Sequence, residues 1–427
     1  MMYLLALVIA ISLGWLALQL IIKDRLGFYL SLFLGAALGL GIIGQIIFYL
    51  QLVGNNFNHF LPPLISLILL GILYLAKKTK KIQSPRIVKN FSLLVLPILA
   101  IPLWMEAHYF PSGGWDAWSC WNLKAKFIYL GQDHWKDIFL PILWRSNTNY
   151  PLALPIINVW FWHWTGFSQN VLMLNSILLT LLTTGVLLLG LQELKVSKVK
   201  AAIVTLAVFT LSFGNTLSIS QYSDALFSLY LLAAFICYLL FRENKDDRLL
   251  VLTAVFIGLL SFTKNEGSIA AAILTSLLII QRLPKPGKFI AILIAAALPT
   301  IIFILTMLPH NEAFTNGLTS PDKPSTLARL GYILIYTLVE FISLKWNGLW
   351  ILAAVGLISN LRKAFVMPLA IIGLFFVLYI AVVLAYYQIN TFFEIGWWMS
   401  NTLNRIIFVL MPSVFLWMAL SLFRKDA

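Results

Sequence analysis

The sequence of 427 residues is 61% hydrophobic and only 11% charged, and its mean hydropathy is +0.91. Soluble chains carry about 25% charged residues, so this composition excludes an ordinary soluble globular protein. Most apolar residues fall in blocks close to the ~20 residues that an α-helix needs to cross the hydrocarbon layer of a membrane. The sequence therefore predicts an all-α polytopic membrane protein.

Thirteen apolar segments are predicted as membrane spans. In chain order they cover residues 2–22, 27–52, 60–76, 90–105, 170–192, 199–213, 222–241, 249–263, 267–281, 287–308, 348–359, 364–386 and 405–422. Residues 326–346 do not fit this alternation of spans and connections, so we predict an interfacial or re-entrant helix there.

The formal net charge of +14 follows the membrane topology rather than a nucleic-acid surface. Twenty-one of the 30 lysines and arginines lie in alternate connections, and such an excess is typical of cytoplasmic loops. This distribution predicts a multi-pass cell-membrane protein with its N-terminus outside, its C-terminus inside, membrane lipids as partners and no nucleic acid. The basic residues of these connections are Lys23, Arg25, Lys77, Lys78, Lys80, Lys81, Arg86, Lys89, Lys195, Lys198, Lys200, Arg242, Lys245, Arg248, Arg282, Lys285, Lys288, Arg362, Lys363, Arg424 and Lys425.

The predicted outer face carries the long polar stretches, which are residues 106–169, 309–330 and 387–404. Nine of the 15 tryptophans lie on this face between Trp104 and Trp164, and an interfacial belt is the ordinary interpretation of such aromatics. The five histidines do not have the spacing of metal ligands, so no metal is predicted. The sequence also has no Walker loop or dinucleotide fingerprint, so no other cofactor is predicted. Cys120 and Cys237 are not expected to pair. The histidines of this face are His59, His108, His134, His163 and His310.

The most informative stretch runs from Ser112 to Lys126, with the sequence SGGWDAWSCWNLKAK. The two glycines break the chain, and Trp115, Trp118 and Trp121 then recur every three residues, which predicts a short interfacial helix with its aromatic side in the headgroup layer. Asp116 falls in the first turn, where the helix dipole favours an ionised carboxylate. Such a carboxylate can act as a general base, and it can equally serve only as a helix cap.

This stretch resembles the first outer loop of the GT-C superfamily, the membrane glycosyltransferases that use polyprenyl-phosphate sugars. Protein O-mannosyltransferases and lipid A aminoarabinose transferases are the most similar in style. The resemblance implies a seven-span module over 90–308, with interfacial helices at 115–130 and 151–166 in its outer loop 106–169. Residues 1–89 are then an additional three-span element, and 309–427 complete the donor site.

Further short matches lie at Tyr222-Ser223-Asp224-Ala225, at Phe262-Thr263-Lys264-Asn265-Glu266-Gly267, and at Arg405, which precedes Pro412 in a late span. The resemblance implies a catalytic acidic residue at Asp116, where this chain has one aspartate and the mannosyltransferases have an acidic pair. The residues proposed to bind the donor phosphate are Lys264, Arg405 and Lys124. Those proposed to bind or orient the substrate are Asp224, Glu266, Trp115, Trp118, Tyr150 and Tyr222.

The function implied is metal-independent transfer of a sugar from a polyprenyl-phosphate donor to a lipid, glycan or protein hydroxyl at the outer face. Fixed cations can stabilise a leaving phosphate, although lysine and arginine at helix ends also simply snorkel to the interface. Three alternatives stay open. They are a transporter or flippase of lipid-linked sugars, which would carry ionisable groups deep in the bundle, a polysaccharide polymerase or ligase, and a non-catalytic subunit of an envelope complex.

Overall fold

The computed structural model describes residues 1–54, 59–210, 214–308 and 326–424. These described residues form helices and turns, and no strand occurs among them. The predictions for His310, for Lys425 and for most of the segment 309–330 lie outside them. The helices are α1 (Met2–Ile22), α2 (Phe28–Val53), α3 (Leu61–Thr79), α4 (Val95–Tyr109), α5 (Asn122–Leu130), α6 (Ala153–Thr165), α7 (Gln169–Glu193), α8 (Lys198–Thr210), α9 (Gly214–Ile219), α10 (Asp224–Asn244), α11 (Asp247–Ser261), α12 (Asn265–Ile280), α13 (Pro286–Thr306), α14 (Leu327–Ile342), α15 (Leu349–Ile358), α16 (Leu361–Ala364), α17 (Ala370–Ile389), α18 (Ile395–Phe408) and α19 (Met411–Phe423).

Shorter helical turns complete the architecture. They are 3₁₀ turns at Phe91–Leu94, Gln132–Phe139, Pro141–Ser146 and Leu344–Trp346, and a π-helical turn at Ala117–Trp121.

Nine helices among the described residues are long and apolar enough to cross a membrane, and ten if the bent pair α18 and α19 counts as one span. The all-helical, membrane-spanning class predicted from composition is therefore confirmed. Four predicted spans correspond to helices of only 10 to 16 residues, namely α8, α11, α12 and α15. The segment 326–346 differs from its prediction, because Leu327–Trp346 has the length and hydropathy of a span.

The first two helices pack backbone to backbone through glycines. A Cβ atom added to Gly14 would overlap the carbonyl oxygen of Gly35, and one added to Gly39 would overlap that of Ala10. Small residues allow helices in a membrane to approach this closely, where no hydrophobic effect drives their association. The glycine-rich run in α2 is therefore a packing surface.

Helix α10 is the centre of the bundle, and its most apolar 18-residue stretch is entirely buried. Its 21 residues separate its two ends by roughly 30 Å. At the Asn244 end, loops from distant parts of the chain meet in ion pairs. Arg25 contacts Asp246 at 3.7 Å, and Lys195 and Arg424 contact Glu243 at 2.5 and 2.9 Å. We call the Asn244 end of α10 the basic end and the Asp224 end of α10 the site end.

Candidate functional site

Arg405 joins two carboxylates at the site end. Its Nε donates to Asp224 Oδ2 at 2.8 Å, and its Nη1 donates to Asp116 Oδ2. The guanidinium carbon also lies 4.2 Å from the centre of the Tyr222 ring. The three charged residues come from α18, from the start of α10 and from the loop after α4, so tertiary packing alone brings them together.

Lys264 extends the same cluster. Its ammonium donates to Asp224 Oδ1 at 2.8 Å and lies 3.5 Å from Glu266 Oε1. The side chains of Asp224 and Lys264 are only 1% and 4% exposed, whereas those of Arg405 and Asp116 are 13% and 24% exposed. The cluster therefore has a buried half at Asp224 and an open half at Asp116.

Local features of the sequence position these side chains. Gly113 has a positive φ of 70°, and the N–H of Gly114 donates to the carbonyl of Ser220 at 3.0 Å. A Cβ on Gly114 would overlap the Tyr222 hydroxyl. The glycine pair thus allows the chain before Asp116 to lie directly against the segment that leads into α10.

The bend between α18 and α19 positions Arg405. The two helices meet at 44° across a break of two residues, and α19 begins with a proline in its first turn. Pro412 has no N–H to continue the hydrogen bonds of the preceding helix, and proline is favoured at the start of a new one. The carboxyl-terminal turn of α18, which carries Arg405, is thereby directed at Asp224 rather than continued along α19.

The simpler interpretations of the charged residues, helix capping by Asp116 and snorkelling by Lys264 and Arg405, do not agree with these contacts. The Asp116 side chain makes no capping hydrogen bond to the helical turn that it precedes, and it pairs with Arg405 instead. Lys264 and Arg405 do not snorkel to an interface, because Lys264 is buried, Arg405 is only 13% exposed, and both are paired with carboxylates. Asp224 pairs with both cations, and Glu266 lies 3.5 Å from the Lys264 ammonium.

Lys124 lies outside the cluster. Its side chain is fully buried, and its ammonium donates to the carbonyls of Asn147 and Tyr150 at 2.7 and 2.8 Å. Burial lowers the pKa of this ammonium. Lys124 therefore holds the loop that carries Tyr150, and it does not lie where it would bind the donor phosphate together with Lys264 and Arg405.

The tryptophans of this loop do not share one face, contrary to the prediction. Trp115 and Trp118 are exposed, with ring centres 4.4 Å apart, but Trp121 is buried and stacks on Tyr150 at 5.3 Å. A π-helical turn places more residues in each turn than an α-helix, so a spacing of three no longer marks one side. Helix α6, predicted within 151–166 as interfacial, is likewise buried from Ala153 to Trp162 among other helices.

A chain of buried amides that the sequence analysis missed fixes the loop against the bundle. Asn122 donates to Gln221 at 2.8 Å, Asn158 to Asn122 at 3.4 Å, and Asn175 to Asn158 at 2.8 Å. Tyr3 of α1 donates to Asn175 at 2.9 Å. Asparagine inside apolar segments was the available signal, because a buried amide without hydrogen bonds is costly.

Tyrosines surround the Glu266 side of the cluster. The Tyr150 hydroxyl donates to Glu266 Oε1 at 3.3 Å. Burial raises the pKa of Tyr150 well above its usual range, and the Glu266 carboxylate raises it further, so this hydroxyl stays a donor. Two tyrosines of α17 that the sequence analysis did not select lie close to the cluster. The Tyr379 ring is 6.0 Å from Phe227, one turn after Asp224, and the Tyr387 hydroxyl is 2.5 Å from that of Thr402, three residues before Arg405.

Of the predicted site residues, the structure thus brings together Asp116, Asp224, Lys264, Glu266, Arg405, Tyr150 and Tyr222. Comparison with known protein families, curated proteins and solved structures finds no match to this chain.

Proposed function

We propose that this chain is a membrane glycosyltransferase that moves a sugar from a polyprenyl-phosphate donor to an acceptor hydroxyl. The observation that carries the proposal is the convergence of Asp116, Asp224, Lys264, Glu266 and Arg405, from four parts of the chain, at one end of an apolar bundle. Ionisable groups at a membrane boundary are costly to bury, so five of them in contact indicate a function.

Binding of the donor phosphate requires an exchange of partners. The cluster holds three carboxylates and two cations, and both cations are already paired. Asp116 is the most exposed carboxylate, and it shares Arg405 with Asp224. An arriving phosphate replaces Asp116 on the guanidinium, whose planar fork suits a phosphate. Arg405 thereby keeps its buried contact with Asp224 while Asp116 becomes free.

The freed carboxylate then acts as the base. Asp116 takes the proton from the acceptor hydroxyl as the oxygen of that hydroxyl attacks the anomeric carbon. The bond between this carbon and the phosphate oxygen breaks, and polyprenyl phosphate leaves with the electron pair. Arg405 and Lys264 stabilise the charge that gathers on the leaving phosphate, which is the stabilisation that preorganised cations provide.

The proposal extends to a GT-C-like fold with thirteen passages across the membrane. Where a helix is too short to cross alone, it forms one passage together with its neighbour, as α14 and α15 do on the way from the site end toward the basic end. Basic loops gather at the end of α10 opposite Asp224, and by the positive-inside rule this supports a site on the outer face of the cell membrane. Single cysteines introduced into 77–89 should resist a membrane-impermeant label in intact cells, and those in 106–169 should react. The reverse pattern would overturn this orientation.

Donor turnover tests the activity. Purified protein in lipid nanodiscs is given radiolabelled polyprenyl-phosphate hexoses or pentoses together with an envelope extract as acceptor. We expect release of polyprenyl phosphate that depends on the extract. Arg405→Lys keeps the charge but loses the fork, and it should impair release, whereas Arg145→Lys, at an exposed arginine beside Trp144, should not. Failure to consume any such donor would reject the proposal.

A second candidate function, a flippase of lipid-linked sugars, is favoured by one observation. Glu340 is buried near the end of α14 and pairs with Lys345 at 2.6 Å, and the Trp346 indole donates to it at 3.0 Å. It lies roughly 20 Å along α14 from Leu327, beside the break that precedes α15. Polar groups at broken helices near the bilayer midplane are typical of transporters. Movement of a fluorescent polyprenyl-phosphate sugar between liposome leaflets, abolished by Glu340→Gln, would support this candidate.

A further inference from the structure

Two buried oxygen atoms beside the charged cluster have no hydrogen-bond partner among the described residues. They are Glu266 Oε2 and the Tyr379 hydroxyl. Tyr379 is fully buried on α17, and its ring centre lies 6.0 Å from that of Phe227, which follows Asp224 by one turn of α10. Buried polar groups are nearly always hydrogen-bonded, so an unpaired carboxylate oxygen and an unpaired hydroxyl beside the same cluster indicate a place where a ligand donates and accepts hydrogen bonds.

The charges of the cluster leave Glu266 as the least compensated carboxylate. Lys264 lies 2.8 Å from Asp224 but 3.5 Å from Glu266. Among the described residues, Glu266 also accepts a hydrogen bond from the Tyr150 hydroxyl, at 3.3 Å on Oε1. The Glu266 side chain is 21% exposed, close to the 24% of Asp116, so it is not closed off from a ligand.

The walls around Glu266 combine hydroxyls with aromatic faces. Tyr387 pairs its hydroxyl with Thr402 at 2.5 Å and packs its ring against Trp398 at 4.9 Å. Tyr150 stacks on Trp121. Such a wall suits a ring that has polar edges and apolar faces, as a sugar does. Tyrosine hydroxyls both donate and accept hydrogen bonds, which matches the hydroxyl groups of a sugar better than it matches a metal ion, since a metal ion needs acceptors only.

We infer that Glu266, Tyr379 and Tyr150 form a saccharide subsite, in which Glu266 accepts hydrogen bonds from hydroxyls of the transferred sugar and determines which sugar is used. This inference rests on the proposed function, because it places the sugar of the donor next to the phosphate held by Arg405 and Lys264. The phosphate and the sugar are thus bound by different residues of one cluster. The affinity contributed by the sugar can therefore be measured separately from that contributed by the phosphate.

The experiment compares two lipids on the full-length protein in nanodiscs. One is decaprenyl methyl phosphate, a diester with the same single negative charge and no sugar, and the other is decaprenyl phosphate that carries glucose, mannose, galactose or arabinose. Wild-type protein should bind at least one sugar-bearing lipid more tightly than the bare lipid. Glu266→Gln and Tyr379→Phe should each reduce this difference by roughly tenfold or more, the effect of losing a hydrogen bond to a charged or buried group, while affinity for the bare lipid should not fall.

Two matched controls separate the subsite from general damage. Tyr230→Phe removes another fully buried hydroxyl without a partner among the described residues, on α10, and Glu106→Gln removes a carboxylate that accepts from Thr216. Neither should change the preference for the sugar-bearing lipid. An equal loss of affinity for both lipids in Glu266→Gln, or an unchanged preference in Glu266→Gln and Tyr379→Phe, would overturn the subsite.

A measurement without lipid keeps the subsite testable if the proposed function fails. Saturation-transfer NMR with methyl glycosides of the same four sugars should give a signal with wild-type protein that Glu266→Gln removes. If decaprenyl phosphate does not bind but the glycoside signal is present, the proposed function fails and the subsite stands. The absence of a signal from all four glycosides in wild-type protein would overturn the subsite even if the lipid phosphate binds.

Discussion

The two ends of α10 both carry ion pairs, but they use them differently. At the basic end the partners come from surface loops, and Lys285, which contacts Asp247 at 2.8 Å, has a side chain that is 69% exposed. At the site end Asp224 and Lys264 are buried, and Asp224 is shared with Arg405. Exposed ion pairs contribute little to stability, whereas buried charges are costly unless every partner is present. The two ends therefore differ in how deeply their charged groups are buried and in whether one group is shared between two partners. These properties, rather than the number of charges, distinguish a site from a solvated face.

The largest effect expected at the site end is on catalysis. Asp116→Asn cannot accept a proton, and general-base catalysis typically contributes about 10²–10⁴-fold, so turnover of the polyprenyl-phosphate donor should fall by about that factor. Thermal stability should change little, because the Asp116 carboxylate makes no capping hydrogen bond. Asp137→Asn, at an exposed aspartate beside His134, is the control and should retain activity. Wild-type turnover in Asp116→Asn would place the base elsewhere, with Glu266 or Asp224 next to be tested.

The next effect is on stability and sharpens the contrast between the two ends. Asp224→Asn leaves Lys264 and Arg405 buried near one fewer carboxylate, and breaking a buried ion pair costs about 3–5 kcal/mol. Asp247→Asn, at the other end of the bundle, should cost less than about 1 kcal/mol because its pair with Lys285 is exposed. Unfolding of both variants in the same detergent measures the difference. Equal losses would show that burial does not separate the ends.

A packing prediction concerns the contact that brings Asp116 to α10. Gly114→Ala should destabilise the protein by roughly 1–3 kcal/mol, because the added methyl group overlaps the Tyr222 hydroxyl. Gly44→Ala is the matched control, since nothing lies within 4 Å of an added Cβ there. It should be neutral or slightly stabilising, because alanine favours a helix. Tyr222→Phe added to Gly114→Ala should restore part of the loss, and no restoration would assign the strain to another contact.

The smallest effect on stability is expected when one exposed ion pair at the basic end is removed. Lys285→Ala should leave the free energy of unfolding nearly unchanged, and any small change should shrink at high salt, because screening weakens exposed pairs. Urea or thermal unfolding at two salt concentrations checks this. A loss of several kcal/mol would mean that the loops at this end are structurally coupled to the core.

The membrane class and the charged members of the site could be predicted from the sequence for one physical reason. Charges are rare in apolar segments, so Asp224, Lys264 and Arg405 stood out at the ends of predicted spans. Their partners come from distant parts of the chain, and a sequence does not show which helix ends meet. The sequence therefore predicted neither the pair of Arg405 with Asp116 nor the position of Tyr379 beside the cluster.

Other differences arose from local geometry. Lys124 has the same spacing from the glycine pair whether it faces a phosphate or the loop carbonyls, so the sequence could not decide between the two. Trp121 turned inward because of a π-helical turn, which no periodicity of the sequence marks. The segment 326–346 was predicted as interfacial or re-entrant because a separate span there did not fit the alternation of spans and connections, whereas Leu327–Trp346 has the length and hydropathy of a span.

The binding of decaprenyl monophosphate to wild-type and Asp116→Asn protein tests the exchange of partners at Arg405 most directly. If the phosphate must displace Asp116 from the guanidinium, removing that carboxylate charge should tighten binding by roughly three- to tenfold, the range of a partly exposed ion pair. Arg405→Ala should weaken binding, and Asp137→Asn should leave it unchanged. Equal affinity in wild-type and Asp116→Asn protein, or undiminished affinity in Arg405→Ala, would contradict the exchange.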